Sequence, residues 1–86
     1  MESVNIATAK ALVKSSGITR AVIECFDGRR WAIVLRGSAE FYLKSERKNP
    51  KPFVKLETAL AEIHALGLRQ AEIEFRKWQP EQKTIE

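Results

Sequence analysis

The chain is poor in the residue types that do chemistry. It has one cysteine (Cys25), one histidine (His64) and one aspartate (Asp27) in 86 residues. A single thiol excludes an internal disulfide, and one thiol with one imidazole fits a reducing cytoplasm better than a secreted scaffold. One His and one Cys also provide no zinc-ligand spacing. The four glycines stand singly, so there is no glycine-rich phosphate loop. No Ser or Cys has a base and an orienting group at a readable spacing. Cys25 falls on the apolar face of a strand pattern, where a cysteine serves as a small core residue. These absences point to a non-enzymatic protein with no cofactor, no metal and no small-molecule substrate.

Long apolar runs are absent too. The strongest, "WAIVL", is far too short to span a bilayer, and "MESVNIATAK" lacks an apolar core of signal-peptide length. The expected location is the cytoplasm. A chain of this length forms one small domain, expected over residues 1–79, with the polar "PEQKTIE" at 80–86 as a flexible tail.

What the chain does have is unevenly placed positive charge. Its net charge is +4. Between Arg29 and Lys55 stand eight cations (Arg29, Arg30, Arg36, Lys44, Arg47, Lys48, Lys51, Lys55) and two acids (Glu40, Glu46). The rest of the chain is slightly acidic. Five of the cations crowd into "KSERKNPKPFVK", where Pro50 and Pro52 forbid a helix. An excess gathered in one stretch of a folded domain attracts anionic partners.

Periodicity organises the remainder. Ala9, Leu12 and Val13 mark a short helix, with Thr8 as its expected cap, Ile6 as a hydrophobic staple and Gly17 as its left-handed stop. "ITRAVIECF", "RRWAIVLR" and "AEFYLK" alternate and predict three strands. Ala21, Ile23, Cys25, Trp31, Ile33, Leu35, Ala39, Phe41 and Leu43 point inward. A loop of Phe26, Asp27 and Gly28 would pair Cys25 with Arg29 and Ile23 with Trp31, keeping apolar residues on one face, with Gly28 left-handed. Leu56, Ala59, Leu60 and Ile63 mark a second helix from Lys55 to Leu66, stopped by Gly67, with Phe53 pinning its start. "RQAEIEFRKW" then predicts a last strand with Ala71, Ile73 and Phe75 inward.

The expected fold is α+β and two-layered. Its order is α-β-β-β-α-β: a three-stranded antiparallel meander plus a fourth strand, with two helices on one face. The fourth strand could join either edge.

Two surfaces are candidates for contact. The first is cationic: Arg30, Arg36, Lys44, Arg47, Lys48, Lys51 and Lys55, with Tyr42 among them as a stacking group. Its partner would be nucleic acid, duplex DNA favoured, or an acidic protein. A lysine-rich connection also serves plain solubility, and outward Arg and Lys guard sheet edges. The second is a thin apolar strip on the outer sheet face: Val22, Ala32, Val34 and Tyr42, with Trp78 joining it. Such a strip could make a homodimer, or could simply be strand-forming residues on a solvated face.

"TAKALVKSSGI", "WAIVLRGS" and "FVKLETALAEIHALGL" followed by a short strand resemble the small ParC-type partition-associated proteins, which are encoded beside partition genes on plasmids and integrative elements. The resemblance runs from about Thr8 to Phe75. Its strongest piece is Phe53, Lys55-Leu56-Glu57-Thr58 and Leu66-Gly67. "KSERKNPK" is more basic than that family's pattern. The resemblance implies a role in maintaining mobile DNA and carries over no catalytic residue. The order α-β-β-β-α is also similar to a double-stranded-RNA-binding domain. That family sets its lysines at the start of the last helix, whereas here they fall in a proline-containing loop.

Overall fold

A computed structural model describes residues 2–80. The expected tail lies outside the described residues from 81 onward. The elements are β1 (Glu2–Val4), α1 (Ile6–Lys14), β2 (Ile18–Cys25), β3 (Trp31–Gly37), β4 (Glu40–Leu43), α2 (Leu56–Leu66) and β5 (Glu72–Glu74).

The fold is α+β, with one five-stranded sheet in the order β1-β4-β3-β2-β5. The expected meander is its centre, because β2–β3 and β3–β4 are antiparallel. Two parallel edges flank it: β1 beside β4, and β5 beside β2. The last strand therefore joins β2. Helix α1 carries the chain from β1 to β2 and α2 carries it from β4 to β5, each a crossover between parallel strands that are not adjacent in the sheet. Strand β1 was not expected; it is three residues long and buries only Val4.

The start of α1 follows from β1. Asn5 leaves the strand extended, and its Oδ1 accepts the Thr8 N–H at 2.8 Å, so Asn5 is the cap and Thr8 sits inside the first turn. At the other end Ser16 N–H donates to Val13 O and Gly17 N–H to Leu12 O. That pairing requires the residue before Gly17 to turn left-handed, and Ser16 does so at φ 69. Gly17, expected in that role, is not left-handed, and a Cβ there would meet only the Leu12 Cδ2 tip closely, at 3.1 Å.

The β2–β3 hairpin keeps odd residues opposite odd, as expected, but in a different register. Cys25 faces Trp31 and Ile23 faces Ile33. The Asp27 carboxylate explains the shift. Its Oδ1 accepts the N–H groups of Arg29 and Arg30, which moves the three-residue loop one position on to Asp27-Gly28-Arg29, closed by Phe26 N–H to Arg30 O. Gly28 is left-handed at φ 91, as expected.

Helix α2 runs as expected and ends in left-handed Gly67. Phe53 pins its start by exchanging two 2.8 Å backbone hydrogen bonds with Trp31. Both helices cover the inner sheet face. Ala9, Ala59, Ile63 and Leu66 pack with Ile18, Ile23, Ile33, Leu35 and Leu43 in one core. Each of the Ile and Leu side chains stabilises the fold by about 1.5–3 kcal/mol on burial. Ala39 lies outside this core, exposed in the turn before β4.

Candidate functional site

The basic segment is built as a necked loop. Lys51 N–H donates to Leu43 O at 2.9 Å, so residues 44–50 leave the β4 position and return to it. The chain then runs on beside Trp31 through Phe53, occupying the space where β4 would have continued. Inside the loop, Ser45 N–H donates to Lys48 O at 2.9 Å and Lys48 N–H to Ser45 Oγ at 3.0 Å. Ser3 Oγ donates to Asn49 Oδ1 at 2.7 Å, tying the loop to β1. A compact loop with close ends and internal bonds holds its backbone in place, so little backbone entropy is lost on binding.

Lys44, Arg47 and Lys48 line one hollow of about 320 Å³ together with Asn5, Ser45, Glu46 and Asn49. Among the described residues no carboxylate forms an ion pair with these three cations. Strands β1 and β4 end on this side, and so does the β2–β3 hairpin. Helices α1 and α2 both begin here, since each follows a strand segment that ends here. Their last turns meet at the far side, where Lys10, Val13 and Lys14 face Ala65, Leu66 and Gly67. Two helix N-termini therefore add partial positive charge at the same end as the loop.

The other cations divide. Lys55 is at this end, as the residue before α2. Lys51 is committed to the fold: its Nζ is 3.5 Å from Glu62 Oε1 and 5.2 Å from the Phe53 ring centroid. Arg30 is also at this end, but its Nε is 2.7 Å from Asp27 Oδ2. Desolvation works to raise the Asp27 pKa, yet the Arg29 and Arg30 N–H groups and the Arg30 guanidinium outweigh it and hold the carboxyl below its usual range.

Arg36 and Tyr42 do not belong to the cluster. Both point from the outer sheet face. Arg36 Nε lies 2.9 Å from Glu40 Oε2, as charge against charge rather than an aligned hydrogen bond. Arg20 Nη2 reaches Glu72 Oε1 at 2.7 Å in the neighbouring row, and that bond lowers the Glu72 pKa. Tyr42 is half-buried opposite Val34. Burial first, then the nearby Glu24 carboxylate, push its phenol pKa upward. Its ring covers the sheet instead of standing free for a base.

The apolar strip expected on the outer face is closed. Val22 is 6% and Val34 3% exposed, and Ala32 is fully buried. By register, Arg20, Arg36, Glu24, Glu72 and Tyr42 occupy the positions around them, and these long side chains cover small ones. Val22 and Val34 therefore offer no surface to a second copy. Trp78 does not join them either. Its ring lies 6.5 Å from Trp31, a member of the core on the helix side.

Asn5 and Asn49 were not anticipated at the site; the Asn5 cap and the β1 contact bring them there. Among the described residues no group of His, Cys, Asp and Glu is assembled to hold a metal, and no helix is long and apolar enough to cross a membrane. No family model, curated protein or solved structure matches this chain.

Proposed function

We propose that this chain is a non-enzymatic nucleic-acid-binding module that grips the phosphate backbone of duplex DNA through the loop 44–50. The observation that carries the reading is the hollow shared by Lys44, Arg47 and Lys48, free of ion-paired carboxylates among the described residues and held by a necked, internally bonded loop. Lys55 extends the contact. The DNA would be that of a mobile element, in keeping with the ParC-type resemblance, and the role accessory to its partition. Phosphate contacts position a protein and carry no base information, so this surface binds different sequences alike.

The test is a salt titration with a labelled duplex of about two helical turns. Four cations on phosphates give a slope of log K against log salt of about −3.6. A flat dependence, or no binding at low salt, overturns the reading. The alternative occupant is an acidic protein. Capture of a partner from nuclease-treated lysate through the same three cations would favour it over DNA.

A further inference from the structure

Strand β5 ends at Glu74, and the chain turns directly after it. Trp78 N–H donates to Phe75 O at 3.0 Å. Gln79 N–H donates to Gly28 O at 2.8 Å, which ties the turn to the β2–β3 hairpin. Glu74 Oε2 accepts the Arg76 backbone N–H at 3.0 Å and its Nε–H at 2.8 Å. The turn 75–79 is thus held at both ends.

Two aromatic rings stand out from this turn. Of the three residues expected inward on the last strand, Ala71 packs on the core, but Ile73 is 44% and Phe75 57% exposed. The reason is position: β5 is an edge strand, and Phe75 lies past its last residue. Trp78 is 43% exposed. The Phe75 and Trp78 rings meet edge to face at 6.3 Å with their planes 77° apart. Trp31 holds Trp78 from the core side, 6.5 Å away.

Cations flank the rings. Lys77 lies between them in the turn, and Arg29 follows Gly28 in the hairpin that holds Gln79. Both are exposed, and neither forms an ion pair among the described residues. The carboxylates of Asp27 and Glu74 are already taken by Arg30 and Arg76. Flat apolar faces beside unpaired positive charge match a strand that alternates bases with phosphates. A duplex hides its base faces within its own stack, so only unpaired bases can use such rings.

We propose that Phe75 and Trp78 form a stacking site for single-stranded nucleic acid, with Lys77 and Arg29 on its phosphates. Planes 77° apart leave no parallel slot for one base, so each ring takes a base of its own. Strands β4 and β5 finish at the same end of the sheet, so this site and the loop 44–50 share that end. Strands β3 and β2 stand between them, a separation of about 14 Å at the usual strand spacing. The two contacts are therefore distinct, and this one does not rest on the loop reading.

The experiment is a fluorescence and anisotropy titration with oligothymidylate of about eight nucleotides. Stacking should quench Trp78 emission, whereas Trp31 is 6% exposed and out of a base's reach. Phe75→Leu keeps apolar bulk and loses the ring. It should weaken oligomer binding about 5–150-fold and leave duplex affinity unchanged. Its melting temperature should hardly move, because that ring is more than half exposed. Lys77→Ala with Arg29→Ala should flatten the single-strand salt slope by about 1.4. Lys44→Ala, Arg47→Ala and Lys48→Ala combined should leave the quenching in place, so the two sites fail separately. The proposal is overturned if oligothymidylate leaves the emission unchanged, if an abasic oligomer of the same length binds as tightly, or if Phe75→Leu binds like the native chain. Emission that shifts with protein concentration alone also overturns it, since a second copy would then cover the rings.

Discussion

Gly37→Ala lowers the melting temperature by about 12–24 °C, the largest loss from any single methyl group placed on the backbone. Gly37 faces Ile18 at the start of β2, where the chain leaving α1 crosses the end of β3. A Cβ at Gly37 would stand 2.7 Å from Gly17 C and 2.8 Å from Ile18 Cα, and nearer still to Gly17 O. All three are backbone atoms, so no flexible side chain can swing aside. The Ile18–Gly37 pair must open, which strains the Ser38 N–H bond to Gly17 O. Ile18 is also one of the fully buried core side chains, so moving it loosens packing. A clash of this kind costs about 3 kcal/mol. A domain of this length has roughly 4–13 kcal/mol in total, and each kcal/mol is about 4–8 °C. Thermal melting followed by circular dichroism measures it. Gly17→Ala serves as the control, because its nearest contact is the mobile tip of Leu12 and its cost should be near 1 kcal/mol. A Gly37→Ala protein melting within a few degrees of the native one would mean the two segments do not cross so closely.

The second large effect is on binding. Lys44→Ala, Arg47→Ala and Lys48→Ala combined should weaken duplex affinity about 500-fold near 0.1 M salt and flatten the salt slope by about 2.7, the share of three phosphate contacts. The loss should be the same for unrelated duplex sequences. Folding stability should hardly move. These side chains make no ion pair among the described residues, and the bonds inside the loop come from Ser45 and the backbone of Lys48. Lys10→Ala with Lys14→Ala removes two positive charges at the opposite end, where α1 and α2 finish, and should leave the slope unchanged. Equal losses from the two sets would reduce the effect to net charge and remove the loop from its assigned role.

A smaller gain follows from the Ser16 backbone. A left-handed L-residue costs about 1 kcal/mol relative to glycine. Ser16→Gly should therefore stabilise the fold by about that amount in urea denaturation, with the α1 terminus otherwise unchanged.

Alternation along the chain was enough to find β2, β3, β4 and α2 and to sort most inward from outward residues. It could not find β1, because Glu2-Ser3-Val4 is too short for any period to register. It could not place β5, whose neighbour depends on how far the α2 crossover carries the chain. The hairpin register turned on one carboxylate, Asp27, competing for two N–H groups. The closed outer face shows a further limit. Periodicity tells which side Val22 and Val34 take, but only register tells that arginine, glutamate and tyrosine stand in the rows around them. The same limit governed the cationic site. Lys44, Arg47 and Lys48 are close in sequence and remain close in space, whereas Arg36 shares their sign but points from a different face.

The hydrogen bond between Lys51 and Leu43 makes everything from residue 44 to residue 50 an excursion from a backbone that rejoins itself. Core and sheet bonding resume on the far side as though the detour were absent. Seven residues can then be rewritten, in charge or in length, while the scaffold below keeps its shape. A lineage carrying this chain could exchange what it docks against by altering that appendage alone.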